Sequence, residues 1–189
     1  MVFSLPNMQK WLENKFTNCL NYEHTIFLNE TLIDYLLSKH NFKILQKYYF
    51  KDHSIFYATQ KVESLKMINL KNEYAQNKAL FLEMLEFYKE KIAFLNDKIN
   101  KSSKEIYLFG AHLFSQYLLY HGLESSKIKG ILDNNKTKQG KRLYGSKLQV
   151  FSPLILKDKN ALIILNAGVY NEEIKKDILE NINENVEFI

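Results

Sequence analysis

Cysteine and arginine are nearly absent from this 189-residue chain, in which Cys19 and Arg142 are the only examples. A lone cysteine excludes an intrachain disulfide and a cysteine-rich zinc site, and it predicts a reducing, cytoplasmic setting. The formal net charge is +5, but the lysines that produce it are scattered among acidic residues. Nucleic-acid-binding surfaces usually cluster their basic residues and favour arginine. We therefore predict no metal centre and no nucleic-acid partner.

Long apolar runs are also missing. No run approaches the ~20 apolar residues that span a membrane, and the N-terminus lacks the basic region and apolar core of a signal peptide. We predict no membrane association. The chain is 46% hydrophobic and 14% aromatic, which is typical of a folded globular protein. Its length allows one substantial core or two small ones.

Residues 104–134 have the pattern of a strand, a tight turn, a helix and a second strand. Ile106–Phe109 and Ile128–Leu132 are apolar runs typical of buried strands, and Gly122 stands where a helix C-terminus favours a left-handed residue. Such a βαβ unit predicts an α/β fold with a Rossmann-like parallel sheet, whose ligands bind beyond the carboxyl ends of the strands. Four residues are expected to share one face of the intervening helix: Leu113, Gln116, Tyr117 and Tyr120.

The first strand end is part of the predicted binding site. Gly110, Ala111 and His112 lie there, and the helix N-terminus that follows favours a phosphate-bearing ligand. His112 either donates a hydrogen bond to that ligand or lies exposed at the start of the helix. Leu113 and Ser115 stand where a dinucleotide would require backbone room, which argues against a dinucleotide ligand.

The second strand end supplies a carboxylate and a polar loop. Asp133 can accept hydrogen bonds from ribose or sugar hydroxyls, although Asp133 and Asn134 also suit an ordinary turn. Lys138 and Gln139 are predicted to approach the ligand, although most charged side chains in loops are merely solvated.

The N-terminal third is predicted to contain strands and helices of its own. The pattern indicates a strand at Val2–Leu5 with a short helix after it, and an antiparallel hairpin formed by Phe42–Phe50 and Ser54–Thr59. Between these lies a helix that Asn29 can cap. Its expected apolar face consists of Leu32, Leu36 and Leu37, and Thr31 with Asp34 fits a capping box.

One long helix is predicted over about residues 70–100. Such a helix either packs on its own chain or pairs with a second copy in a homodimer. Farther along we predict a third buried strand at Ala161–Leu165, a helix at Glu172–Asn181 and a last strand at Val186–Ile189. The long helix has apolar residues spaced alternately four and three apart, as in a heptad seam: Phe81, Leu85, Tyr88, Ile92, Leu95 and Ile99.

Tyr22, Glu23 and His24 form the sharpest catalytic candidate. A histidine beside a carboxylate can act as a general base near neutral pH, because its unperturbed pKa is about 6.5. Adjacent side chains of an extended segment point in opposite directions, so only one of Glu23 and His24 would face a substrate directly. The alternative is that the pair belongs to a structural ion-pair network.

Several stretches resemble the S-adenosylmethionine-dependent sugar C-methyltransferases. Within Val2–Thr59, VFSLPNM, TNCLNYEHTIFL and FKILQKYYFKDHSIFYAT look like the closing part of that family's methyltransferase core. YLFGAHLFSQYLL, ILDNNKTKQGKRLYG and FSP resemble its Rossmann-like C-terminal domain. The resemblance implies three regions, with residues 1–62 closing an incomplete methyltransferase core, 63–102 forming a connecting helix and 103–189 forming the C-terminal domain.

The resemblance also implies where the chemistry lies. The family is expected to bind a nucleotide-sugar between the methyltransferase core and the C-terminal domain. Its glutamate–histidine pair, proposed to act in proton abstraction, corresponds to Glu23 and His24, and Tyr22 stands where a histidine is common. The family's zinc cysteines are missing from this sequence, as is the glycine-rich S-adenosylmethionine loop expected upstream of Val2.

We therefore expect the acceptor-side portion of a methyltransferase that acts on a nucleotide-linked keto-sugar and is inactive alone. No cofactor is expected on this chain by itself, and S-adenosylmethionine would be held by an upstream domain or a separate methyltransferase subunit. The alternatives are a noncatalytic nucleotide-sugar-binding module and a protein that dimerises through the long helix.

Overall fold

The computed structural model describes residues 1–21 and 26–189. These residues form two units, Met1–Leu85 and Glu86–Ile189, and the boundary falls within the long helix. The first unit contains a three-stranded antiparallel sheet and the second a five-stranded parallel sheet. The predicted α/β fold class is confirmed, whereas the predicted division into three regions stays a prediction.

In the first unit, the central strand of the sheet is β3, which lies between β1 and β2. The predicted hairpin is confirmed, and its turn places Lys51 in the left-handed region with φ 50°. Phe3 of β1 stacks on Tyr57 of β3, with ring centroids 5.1 Å apart. The elements are β1 (Val2–Pro6), α1 (Met8–Glu13), α2 (Glu30–Lys39), β2 (Phe42–Phe50), β3 (Ser54–Lys61) and the start of α3 (Tyr74–Lys101).

Helix α2 buries only part of the predicted face. Ile33 and Leu37 are buried and belong to the core cluster of the sheet's inner face. Leu36, by contrast, is 38% exposed. The sequence permits two apolar stripes one position apart, because Leu32 with Leu36 and Ile33 with Leu37 both have the four-residue spacing. Contact with β3 selects the second stripe.

The start of α2 is capped by Asn29, as predicted, through a hydrogen bond from the N–H three residues farther along. The predicted capping box is wrong. The hydroxyl of Thr31 instead donates to Glu73 over 3.0 Å, and Asp34 accepts from the ammonium of Lys47 at 2.6 Å. Both side chains are engaged by residues distant in sequence and do not serve the helix terminus.

The parallel sheet of the second unit has the strand order β6-β5-β4-β7-β8. Its central strands are buried on both faces, because every residue of Ile106–Phe109 and of Ala161–Leu165 is buried. One face packs against α5 through a cluster that includes Tyr107, Ile163 and Ile178. The elements after α3 are β4 (Glu105–Phe109), α4 (Leu113–Tyr120), β5 (Ile128–Leu132), β6 (Val150–Phe151), β7 (Ala161–Leu165), α5 (Asn171–Asn181) and β8 (Glu187–Phe188).

Helix α4 buries a face that the sequence pattern did not indicate. Phe114 and Leu118 are buried, whereas Tyr120 is 86% exposed. The end of the helix is as predicted, because Gly122 adopts φ +100°. The N–H of Leu123 then donates to the carbonyl of Leu118 over 2.9 Å, which closes a Schellman motif. The four residues predicted to share one face do so in this helix, but none of them is fully buried: Leu113, Gln116, Tyr117 and Tyr120.

Helix α3 carries the predicted seam over only part of its length. Tyr88, Ile92, Leu95 and Ile99 are buried within the monomer, but Leu85 is 37% exposed. Met84 is buried in its place, and its sulfur lies 3.5 Å from Sγ of Cys19. The second half of the seam therefore packs on its own chain. In the described part of the chain, no helix combines the length and apolar character needed to cross a membrane.

Candidate functional site

The turn after β4 consists of Gly110, Ala111 and His112, all three of which were predicted to bind a ligand. Gly110 adopts φ +98°, a conformation that side chains rarely permit. A Cβ at Gly110 would also overlap Nε2 and Cδ2 of the His112 ring. Ser115 is fully buried, and its hydroxyl donates to the carbonyl of Gly110 over 2.7 Å. The turn is therefore closed by side chains at positions that a dinucleotide would need to be open.

Asp133 at the end of β5 links three parts of this edge. Its Oδ2 accepts from the N–H of Ala111 at 2.8 Å and from the ammonium of Lys138 at 3.0 Å. Its Oδ1 accepts from the N–H of Asn135 at 2.8 Å. The carboxylate thus joins the turn after β4 to the loop after β5. We call Gly110, Ala111, His112, Asp133 and Lys138 the strand-end cluster.

The ionised form of Asp133 is favoured in this position. Burial by itself raises the pKa of a carboxyl group. The hydrogen bond from Asn135, the ammonium of Lys138 and the N–H of Ala111 outweigh that effect, so the pKa of Asp133 falls below its ordinary value. The carboxylate of Asp133 in turn offsets the charge of Lys138. Asp133 therefore positions the cluster, and Oδ1 keeps room to accept one further hydrogen bond.

His112 is held as a neutral ring. Its Nδ1 accepts a hydrogen bond from the N–H of Phe114 at 3.2 Å, which places the ring proton on Nε2. Burial lowers the pKa of His112, and the nearby ammonium of Lys138 lowers it further against the opposing effect of Asp133. The ring can therefore donate from Nε2, as the first of the two interpretations of His112 requires.

The two remaining residues predicted to bind a ligand differ in their surroundings. Gln139 donates from Nε2 to the carbonyl of Asp133 over 2.9 Å, so its side-chain amide stabilises the loop after β5. Asn134 is exposed. The structure therefore brings Gln139 into contact with the strand-end cluster, and it leaves Asn134 beside the cluster and open to solvent.

Helix α3 also reaches the carboxyl edge of the sheet, which the sequence pattern did not indicate. The hydroxyl of Tyr88 accepts from Nδ2 of Asn166, the residue that follows β7, over 3.2 Å. Its ring packs edge-on against Tyr117, with centroids 5.0 Å apart. One turn farther along α3, Lys91 approaches the ring of Phe114. Because α3 precedes the βαβ unit in sequence, only the tertiary fold could reveal this proximity.

The predicted catalytic residues Tyr22, Glu23 and His24 lie outside the described residues. Their proposed roles stay predictions. Among the residues that are described, no group of three or more His, Cys, Asp or Glu side chains could hold a metal ion.

A cavity of about 500 Å³ lies elsewhere, within the first unit, where α2 and α3 begin. Asn29 and Glu73 line it, joined by a hydrogen bond of 2.7 Å, and the exposed ring of Tyr74 lies at its side. These polar side chains already satisfy one another, so we locate the candidate site by the chemistry at the strand ends.

The fold and the strand-end cluster define a class of protein, the α/β proteins with a parallel sheet, in which ligands commonly bind at the carboxyl ends of the strands. Residues 54–189 match the family described as the C-methyltransferase C-terminal domain. The chain belongs to this family. The match includes the whole second unit and its strand-end cluster, but it begins after residues 22–24. No curated protein matches the chain.

Proposed function

We propose that this chain is the acceptor-side portion of a methyltransferase that acts on a nucleotide-linked keto-sugar in carbohydrate biosynthesis in the cytoplasm. The observation that carries the proposal is the strand-end cluster, which lies within the residues that match a C-methyltransferase C-terminal domain. The cluster combines a neutral donor, His112, with an ionised acceptor, Asp133. This pair suits a ligand that has both phosphate oxygens and sugar hydroxyls.

In the proposed mode of binding, the chain's own residues divide the work of recognition. Nε2 of His112 donates to a ligand oxygen, and Oδ1 of Asp133 accepts from a hydroxyl. Asp133 and Gln139 hold the loop after β5, while Gly110 lets the backbone turn pass close to the ligand. Asn134, which is exposed beside them, is placed to contact the ligand's outer part.

The proposed reaction requires a carbanion at a sugar carbon, which is accessible beside a keto group because the enolate spreads the charge. His24 removes the proton as general base. Glu23 orients His24 or holds a sugar hydroxyl, and Tyr22 lies beside them in sequence. The carbanion would then accept a methyl group supplied by S-adenosylmethionine, whose sulfonium would leave as a neutral thioether. The methyl donor is held by an upstream domain or by a separate methyltransferase subunit.

The sheet of the first unit supports a second polypeptide as the partner. Its outer face is formed by Val2, Tyr48, Phe50 and Phe56, whose exposed fractions run from 40% to 78%. Strand β1 is also an edge of that sheet. An exposed apolar face beside an open strand edge is typical of an interaction surface.

Calorimetric titration of the purified chain with a panel of nucleotide-sugars tests the binding role. We expect binding that weakens about tenfold or more in Asp133→Asn, because the variant loses a charged acceptor and releases the turn it holds. Asp158→Asn is the matched control, since Asp158 has φ +63° in another loop and asparagine tolerates that conformation. Absence of binding by the unchanged chain would refute the proposal.

Catalysis is tested by mixing the chain with a methyltransferase segment that binds S-adenosylmethionine. We expect turnover of a keto-sugar nucleotide in the mixture and its loss in His24→Ala. Unchanged turnover in that variant would remove His24 from the mechanism. Binding without turnover in any mixture would favour the alternative of a noncatalytic nucleotide-sugar-binding module.

A further inference from the structure

Lys91 is a half-buried cation on helix α3. Its ammonium lies 5.7 Å from the ring centroid of Phe87 and 5.8 Å from that of Phe114. Within the described residues, it forms no ion pair with a carboxylate. Burial lowers the pKa of Lys91, and no carboxylate among residues 1–21 and 26–189 opposes that effect. A partly desolvated charge without a counterion costs free energy, which the two aromatic rings offset only in part.

The position of Lys91 connects it to the strand-end cluster. Phe114 belongs to the first turn of α4, and its N–H donates to His112. Tyr88, one turn before Lys91, is joined to Asn166 at the end of β7. The contacts on both sides of Lys91 therefore lead to the carboxyl ends of the parallel strands.

The other lysine of this region differs in its charge balance. Lys138 forms an ion pair with Asp133, whose side chain is only 11% exposed. Its charge is already offset, and a ligand phosphate would have to compete with a well-held carboxylate. Lys91 meets no such competitor among the described side chains. Its ammonium is thus the better match for an incoming anion.

We propose that Lys91 is the cation of an anion subsite beside the first turn of α4, and that this subsite takes the diphosphate of the nucleotide-linked ligand. This inference rests on the proposed function and deepens it. A diphosphate supplies a counterion that no described side chain provides to Lys91, and it forms charge-assisted hydrogen bonds with the ammonium. Lys91 thereby fixes the end of the ligand that does not react.

The test measures the affinity of five common nucleoside diphosphates and of inorganic pyrophosphate by calorimetry. It uses the full chain and the variants Lys91→Met, Lys91→Arg and Lys98→Met. Lys98 is the matched control, because it lies on the same helix with its ammonium 5.4 Å from the ring centroid of Phe94. We expect Lys91→Met to weaken nucleoside diphosphate binding about tenfold or more, Lys91→Arg to restore part of the affinity, and Lys98→Met to change nothing.

A second measurement separates ligand binding from a structural role. We expect Lys91→Met to raise the melting temperature of the ligand-free chain by about 2 °C or more, because it removes a half-buried charge that no described carboxylate offsets. A variant that is more stable and yet binds more weakly cannot be explained by damage to the fold.

The outcomes distinguish this inference from the proposed function. If the unchanged chain binds nucleoside diphosphates and Lys91→Met binds them equally well, the subsite is refuted and the proposed function stands. If only pyrophosphate binds, and does so through Lys91, the subsite stands and the proposed function fails. If neither binds, both fail.

Discussion

The two sheets of this protein differ in how much of their surface the chain itself covers. Tyr107 and Leu108 point to opposite faces of the parallel sheet, and both are at most 2% exposed. In the antiparallel sheet Tyr57 is fully buried, but its neighbour Phe56 is 40% exposed. Parallel sheets are normally covered on both faces, whereas antiparallel sheets often have a solvated face that is polar. Here the solvated face is aromatic.

The difference shows which unit leaves apolar surface exposed. At roughly 200 Å² for each large side chain, the outer face leaves on the order of 400 Å² of apolar surface exposed, which is within the range of about 300–600 Å² for the largest patch of a typical monomer. That surface is about half of what one partner contributes to a standard interface. The parallel sheet instead has polar side chains, among them His112 and Asp133, at its carboxyl edge.

The comparison predicts that the same substitution has unequal effects in the two sheets. Leu108→Ala should lower the free energy of unfolding by about 3 kcal/mol, because it leaves a cavity in a fully packed strand. Leu45→Ala, at a position that is 57% exposed in β2, should cost less than about 1 kcal/mol. Urea unfolding of both variants is the measurement. Equal losses would contradict the difference between the sheets.

The carboxyl edge of the parallel sheet can be examined with two glycines. Gly110→Ala should cost about 2–3 kcal/mol, because a side chain there is strained at positive φ and also displaces the His112 ring. Gly122→Ala should cost only about 1 kcal/mol, since it has a similar φ and nothing lies within 4 Å of its added Cβ. The urea midpoints of the two variants measure the contribution of the ring contact. Equal midpoints would show that His112 moves aside freely.

The charge of Asp133 gives the edge a predicted pH dependence. The pKa of Asp133 is lower in the folded chain than in the unfolded chain. Its stabilising contribution is therefore present above the unfolded pKa and is lost as the pH falls through the folded pKa. Asp133→Asn should cost about 1–2 kcal/mol at pH 7. Unfolding curves at pH 7 and at about pH 3 should show the variant approaching the parent protein at the lower pH. A cost independent of pH would show that the carboxylate charge is unimportant.

The smallest expected effect on stability concerns the outer face. Tyr48→Thr should change the free energy of unfolding by less than about 0.5 kcal/mol, because the side chain is 59% exposed and threonine suits a strand. The same variant should weaken association with the methyltransferase segment in analytical ultracentrifugation. Unchanged association would show that the methyltransferase segment does not bind through this face.

Most elements were predictable, because their signals come from neighbouring residues. The hairpin, the strands β4, β5 and β7, the Asn29 cap and the left-handed Gly122 all depend on side-chain periods or on backbone conformation within a few positions. The buried face of α2 was predicted only in part, since Leu37 is buried but Leu36 is 38% exposed, and the buried face of α4 was not predicted. Each helix offers two apolar stripes one position apart, and only the sheet against which it packs decides between them.

The candidate site was likewise predictable only in part. Gly110, His112, Asp133 and Lys138 could be nominated from their place after strands, because the carboxyl ends of parallel strands meet at one edge. That Asp133 is engaged by Ala111, Lys138 and Asn135 could not be read from the sequence. The carboxylate's partners depend on how two separate loops are brought together.

The sequence by itself determined the βαβ unit, the hairpin and the family to which the chain belongs, since these depend on the order and local spacing of side chains. The tertiary structure alone decided which of two lysines is paired with a carboxylate in the described part of the chain. Lys91 and Lys138 are both ordinary lysines in the sequence. Long-range packing places a carboxylate beside Lys138 and aromatic rings beside Lys91, because the surroundings of a side chain are set by residues far from it along the chain.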